Sequence, residues 1–204
     1  MVQQLDLLKE TPSQTAGPYV HIGLTPNFAT IPSVYDADLG NSMLTEKTAG
    51  ERITIQGRVI DGGGSPLRDA LVEIWQADAN GLYNSPAEMR GTADPHFTGW
   101  GRCPTDADTG VYSFETIKPG RAPFKDGRLM APHVTFWIVA RGINIGLHTR
   151  MYLGDEDKAN AEDPLLARIE HPHRRATLIA ARDGNVYTFD IHLQGERETV
   201  FLDI

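Results

Sequence analysis

Two hundred and four residues, 40% hydrophobic and 23% charged, carry 27 Asp and Glu against 19 Lys and Arg, a formal net charge of −8 at pH 7. The length suits one sizeable domain with extensions, and the basic residues are too scattered to track a phosphate backbone, so nucleic acid is not the expected partner. No apolar run approaches the roughly 20 residues that cross a bilayer, the opening Met-Val-Gln-Gln-Leu-Asp has no secretory pattern, and the single Cys103 can form no intrachain disulfide; a cytoplasmic protein without membrane contact is expected.

Glycine (20) and proline (13) fall between short apolar segments, a pattern of many strands joined by turns. Residues 1–50 hold Pro12, Pro18, Pro26 and Pro32 without sustained periodicity and read as an irregular arm. Its Tyr19, Val20, Ile22, Phe28 and Tyr35 suit docking on a partner or on the core. Residues 51–204 read as the core domain. Ile53, Ile55, Gly57 and Val59 alternate with Thr54, Gln56 and Arg58, which is a strand; the turn Asp61-Gly62-Gly63-Gly64-Ser65-Pro66 follows, then a strand over residues 70–76. Further strands are expected at 111–117, 134–140, 147–153 and 186–194, with a short one near 199–202. About seven strands make a mainly-β sandwich. Helix is scarce: residues 163–169 fit one short helix opened by Asp163 with Pro164 in its first turn, and residues 173–180 another helical or extended piece.

Three sets of residues invite a chemical reading. His171 and His173 flank a proline in a polar stretch, so with His148 and His192 they suit a solvated surface better than a metal cluster. His133 opens a strand, where positions i and i+2 share a face, but Thr135 stands at i+2 and is a poor ligand; taken alone, His133 is a histidine bonded to nearby backbone. Tyr83, after the turn Asp78-Ala79-Asn80-Gly81, could supply a hard phenolate ligand, with a packed turn tyrosine as the default. No G-x-G-x-x-G, P-loop or G-x-S-x-G element occurs.

The run Trp75-Gln76-Ala77-Asp78-Ala79-Asn80-Gly81-Leu82-Tyr83 resembles the W-Q-A-D-x-x-G-x-Y element of the intradiol ring-cleavage dioxygenases. The likeness continues in Thr11-Pro12-Ser13-Gln14-Thr15-Ala16-Gly17-Pro18-Tyr19, Ile117-Lys118-Pro119-Gly120, Met130-Ala131-Pro132-His133, Ala140-Arg141-Gly142-Ile143-Asn144 and Thr199-Val200-Phe201, and so covers nearly the whole chain. The resemblance implies a transthyretin-like β-sandwich. It also implies a ferric ion (Fe3+) held, in catalytic members, by two tyrosines and the two histidines of an H-x-H pair. Tyr83 and His133 match the first tyrosine and first histidine. Ala122 stands at the second tyrosine, Thr135 at the second histidine, and Met130 at an arginine preceding the pair.

With two of four ligands missing, this chain is expected to bind no metal and to carry no catalytic residue. The resemblance then implies an obligate alpha-type chain beside a beta subunit that holds the Fe3+, several such pairs forming one assembly. The implied reaction is O2-dependent cleavage of 3,4-dihydroxybenzoate between its hydroxyl-bearing carbons, to 3-carboxy-cis,cis-muconate, in the beta-ketoadipate pathway. Thr15, Gly17, Pro18, Tyr19 and Arg141 would then line the substrate pocket over the partner's iron, Arg141 attracting the carboxylate and Gly17 admitting close backbone approach. Two other readings stand beside this one: a self-sufficient dioxygenase acting on catechol or hydroxyquinol, and a sandwich module that only binds.

Overall fold

The alternation that begins at residue 52 forms β1 (Arg52–Ile60), with Ile53, Ile55 and Val59 buried and Arg52, Gln56 and Arg58 exposed. Gly57 falls on the buried face by the same alternation, and a Cβ there would lie 1.9 Å from the Phe189 carbonyl oxygen, so the position needs glycine. The computed structural model describes residues 15–203, so residues 11–14 of the first motif lie outside the described residues. β2 (Leu71–Trp75), β3 (Trp100–Pro104), β4 (Val111–Ile117), β5 (His133–Val139) and β6 (Leu147–Leu153) follow, then β7 (Ile179–Asp183), β8 (Val186–Thr188) and β9 (Ile191–His192).

One sheet runs β3-β2-β5-β6 and the other β7-β8-β1-β4, with β9 extending alongside the end of β1. β7 joins the two: it pairs parallel with β6 through Tyr152↔Ile179 and Leu153↔Ala180, and antiparallel with β8. Side chains from both inner faces, among them Ile55, Ile74, Phe114, Phe136, Met151 and Tyr187, make one continuous apolar core. The mainly-β sandwich expected from the sequence is what forms.

Several local expectations change. β3 was not anticipated, because Trp-Gly-Arg-Cys-Pro has no clean alternation; β2 recruits it as a neighbour through Glu73↔Arg102 and Ile74↔Gly101. Residues 186–194 split into β8 and β9 around Phe189 and Asp190, where the Asp190 carboxylate accepts the Arg58 N–H at 2.9 Å. No strand forms at 199–202; that segment runs alongside, donating from Thr199 to His192 and from Leu202 to His148.

The helix expected at 163–169 is only a 3-10 turn at Leu166–Arg168, and a helix α2 (Asp157–Glu162) precedes it. Asp163 is still a cap, its carboxylate accepting the N–H groups of Leu165 and Leu166 at 2.8 Å each. His171 and His173 are exposed as expected, and the helical or extended piece expected at 173–180 divides between a one-turn helix, α3 (Pro172–Ala176), and the start of β7. Residues 15–50 are less irregular than expected, with a short helix α1 (Pro18–Leu24), and Met43 enters the core beside Phe97.

Candidate functional site

The turn after β2 is held by its own motif. Gln76, 1% exposed, donates from Nε2 to the Ile117 carbonyl at 2.9 Å and accepts the Thr116 hydroxyl, tying the end of β2 to the end of β4. Asp78, equally buried, accepts N–H groups from Asn80, Leu82 and Asp94 and passes its carbonyl to Gly120 N–H at 2.8 Å. Gly81 has φ +79°, and a Cβ there would meet the Arg121 carbonyl at 2.1 Å, so the turn needs glycine. These bonds lock the segment carrying Tyr83 against the one carrying Ala122.

Tyr83 stacks on Trp75, ring centroids 6.0 Å apart, and its hydroxyl reaches His133 Nε2 at 3.4 Å. His133 Nδ1 lies 2.8 Å from the Ala131 carbonyl. A carbonyl only accepts, so Nδ1 carries the proton, Nε2 is the acceptor, and the Tyr83 hydroxyl donates to it. Burial, reinforced by the Arg150 charge, depresses the His133 pKa to about 4, and burial outweighs Arg150 and Arg90 to raise that of Tyr83. A neutral phenol and a neutral imidazole thus satisfy each other. Ala122 is buried, its carbonyl accepting the Met130 N–H at 2.9 Å, and Thr135, opposite Arg150 in the register of β5 and β6, opens onto a cavity of about 350 Å³ walled by Trp75, Trp100 and Trp137.

A second patch lies at the other end of β5, eight residues and so about 26 Å away along the strand. Thr15 accepts the Gly142 N–H at 2.7 Å and donates to the Ala140 carbonyl at 3.3 Å, bringing the start of the described chain onto the segment that follows β5. Gly17 caps α1 and Pro18 opens it, while Tyr19 is 84% exposed. Arg141 pairs with Asp69, Nε to Oδ2 2.6 Å, its side chain 74% exposed at the edge of a groove of about 500 Å³ that Asp61, Ile143 and Leu193 also line. Of the five residues read from the sequence as pocket-lining, Thr15 is therefore set against the segment that carries Arg141, and Gly17, Pro18 and Tyr19 follow it at the start of α1. Of the histidines, His173 and His192 line a common groove and His148 lies elsewhere.

The family model described as "Dioxygenase" matches residues 24–195. The chain is 48% identical to the protocatechuate 3,4-dioxygenase alpha chain of Pseudomonas putida over 98% of both chains, and 37% identical to the beta chain of that enzyme from Burkholderia cepacia over 78% of this chain and 71% of the relative. The chain belongs to the intradiol dioxygenase family. In fold it is similar to 3-chlorocatechol 1,2-dioxygenase from Rhodococcus opacus 1CP, with a TM-score of 0.58 at 21% identity over 79% of this chain and 67% of the other.

Intradiol dioxygenases are oxidoreductases that depend on iron. The donors in this member do not fit a ferric ion. Tyr83 donates its proton to the His133 lone pair, Ala122 offers only a methyl group and Thr135 a neutral hydroxyl where an imidazole would be needed. Sequence reasoning did not single out Arg150. Alternation along β6 would have put it on an outer face, but its place opposite Thr135 depends on strand register.

Proposed function

We propose that this chain is the alpha subunit of a protocatechuate 3,4-dioxygenase, carrying no metal of its own and completing the substrate pocket of a beta subunit that holds the Fe3+. The enzyme so formed uses O2 to open 3,4-dihydroxybenzoate to 3-carboxy-cis,cis-muconate, and the ferric ion's part is to bind the catecholate and make its ring reactive towards oxygen. The observation that carries the reading is the end-to-end likeness to an alpha chain. The hydrogen bond that Tyr83 donates to His133, with Ala122 and Thr135 supplying neither phenolate nor imidazole, supports it.

In this reading residues 1–50 face the partner and residues 51–204 are the sandwich, with Thr15, Gly17, Pro18, Tyr19 and Arg141 on the side turned to the beta subunit's pocket. Seven of the large exposed apolar residues, Tyr19, Ile22, Phe28, Ile31, Val34, Tyr35 and Leu39, fall within 21 consecutive positions, the composition of a covered surface. The setting is cytoplasmic: Cys103 is a free thiol with its pKa raised by burial, and no described helix is long and apolar enough to cross a membrane.

Co-expression with a beta-type chain tests the proposal. The two chains are expected to purify in equal amounts, with iron, visible absorption and oxygen uptake on 3,4-dihydroxybenzoate present in the complex and absent from this chain alone. Stoichiometric coloured iron in the isolated chain, or cleavage of catechol by it, overturns the reading in favour of a self-sufficient dioxygenase.

A further inference from the structure

Arg150 sits on β6 between Thr149 and Met151, both 0% exposed, so alternation turns it away from the core and onto the face of Thr135, its register partner on β5. Its Nη1 lies 3.3 Å from Met130 Sδ, a weak acceptor, and its Nε is buried with no hydrogen-bond partner. The guanidinium charge acts on Tyr83 and His133, and on Tyr152 it acts both as a charge and as a hydrogen-bonding neighbour. Among these neighbours, Asp163 is engaged by the Ala131, Leu165 and Leu166 N–H groups and by the Tyr152 hydroxyl. The arginine salt bridges observed elsewhere, such as Arg102 with Glu73 and Arg182 with Glu51, do not involve Arg150. An arginine with an orphaned donor is costly to keep part-buried unless its charge is itself part of the local arrangement.

We propose that the Arg150 guanidinium is the resident cation of this site, occupying the position in which Tyr83, His133 and residues 122 and 135 would otherwise surround a metal ion, and that it excludes a metal even when the missing ligands are restored. A fixed positive charge repels an incoming trivalent ion at short range, and in a partly desolvated pocket that repulsion is weakly screened. Two barriers therefore separate this chain from metal binding: absent donors at Ala122 and Thr135, and a present charge at Arg150. The inference rests on family membership and on this geometry; its failure leaves the alpha-subunit reading, which co-purification tests, untouched.

The experiment compares four full-length chains: Ala122→Tyr with Thr135→His, and the same pair with Arg150→Gln, Arg150→Met or Arg150→Lys added. Each is reconstituted with ferric citrate and desalted, and iron per chain and visible tyrosinate-to-iron absorption are measured on material that melts cooperatively. The Gln and Met variants are expected to retain at least about tenfold more iron than the other two and to be coloured, because only they remove the charge. Lysine keeps the charge and should keep the metal out. Equal iron in the double variant and the Gln variant, equal iron in the Lys and Gln variants, or no iron in any of the four overturns the proposal. Gln and Met remove the charge with different shapes, so a folding failure of one leaves the other to decide.

Discussion

At the scale of single residues, the two candidate patches differ in how their charges are held. Arg141 is an exposed cation braced by Asp69, free to turn its remaining N–H groups towards an anion brought by another chain, whereas Arg150 is part-buried with its Nε shut away from solvent. In the heteromer, Arg141→Ala is expected to raise KM for protocatechuate about tenfold and leave kcat nearly unchanged, because a charge that attracts substrate and transition state alike contributes uniform binding, and solvent screening limits its size. Catechol, which lacks the carboxylate, should respond less. Steady-state kinetics on both substrates at matched iron content decide it; equal changes on the two, or none on either, remove Arg141 from substrate recognition. The motif residues Gln76 and Asp78, by contrast, are spent on backbone bonds that hold the loops together, so their place in a catalytic family's signature reflects positioning rather than chemistry.

At the scale of elements, one carboxylate reinforces the join that β7 makes between the two sheets. Asp155, just past β6, accepts from Lys118 beyond β4 at 2.8 Å and from the Tyr187 hydroxyl of β8 at 2.8 Å, and it also pairs with Arg182 of β7. Burial pushes its pKa up, but the Lys118 and Tyr187 hydrogen bonds outweigh that and hold it at about 2. The folded value lies below the ordinary 3.8, so this stabilisation is complete above that pH and is lost as pH falls through about 2. Asp155→Asn should therefore lower Tm by about 3 °C near neutrality, with the gap from wild type closing between pH 4 and pH 2. Thermal melts across that range check it, and a gap that stays constant down to pH 2 would show that Asp155 does not carry the acid dependence.

At the scale of the whole molecule, the large exposed apolar side chains are concentrated between Tyr19 and Leu39, whereas in the sandwich Met89, Leu129 and Ile145 are exposed singly. A surface of that kind is stable in water when another chain lies on it. The isolated chain is expected to self-associate in a concentration-dependent way and to melt several degrees higher with a beta-type partner, as mass action requires of any ligand that binds only the folded form. Sizing by light scattering and melting with and without the partner are the measurements. A monodisperse monomer whose melting the partner does not alter would refute the covered-surface reading.

The amino-acid sequence alone determined the mainly-β architecture, since alternation such as Ile53, Ile55 and Val59 is written into neighbouring residues, and each strand that shows it was found where expected. It also determined the family, through a motif whose Gln, Asp and Gly are demanded by a turn, and the loss of donors at Ala122 and Thr135, which are visible as letters. Elements without local signal escaped it: β3 and β7 are strands because neighbours supply hydrogen bonds to their edges, and residues 199–202 are not a strand although their composition allows one. Only the tertiary structure set Thr15 against Ala140 and Gly142, and Arg150 opposite Thr135. Which residue faces which across a sheet depends on register and on packing between segments far apart in the chain, and no local pattern encodes those distances.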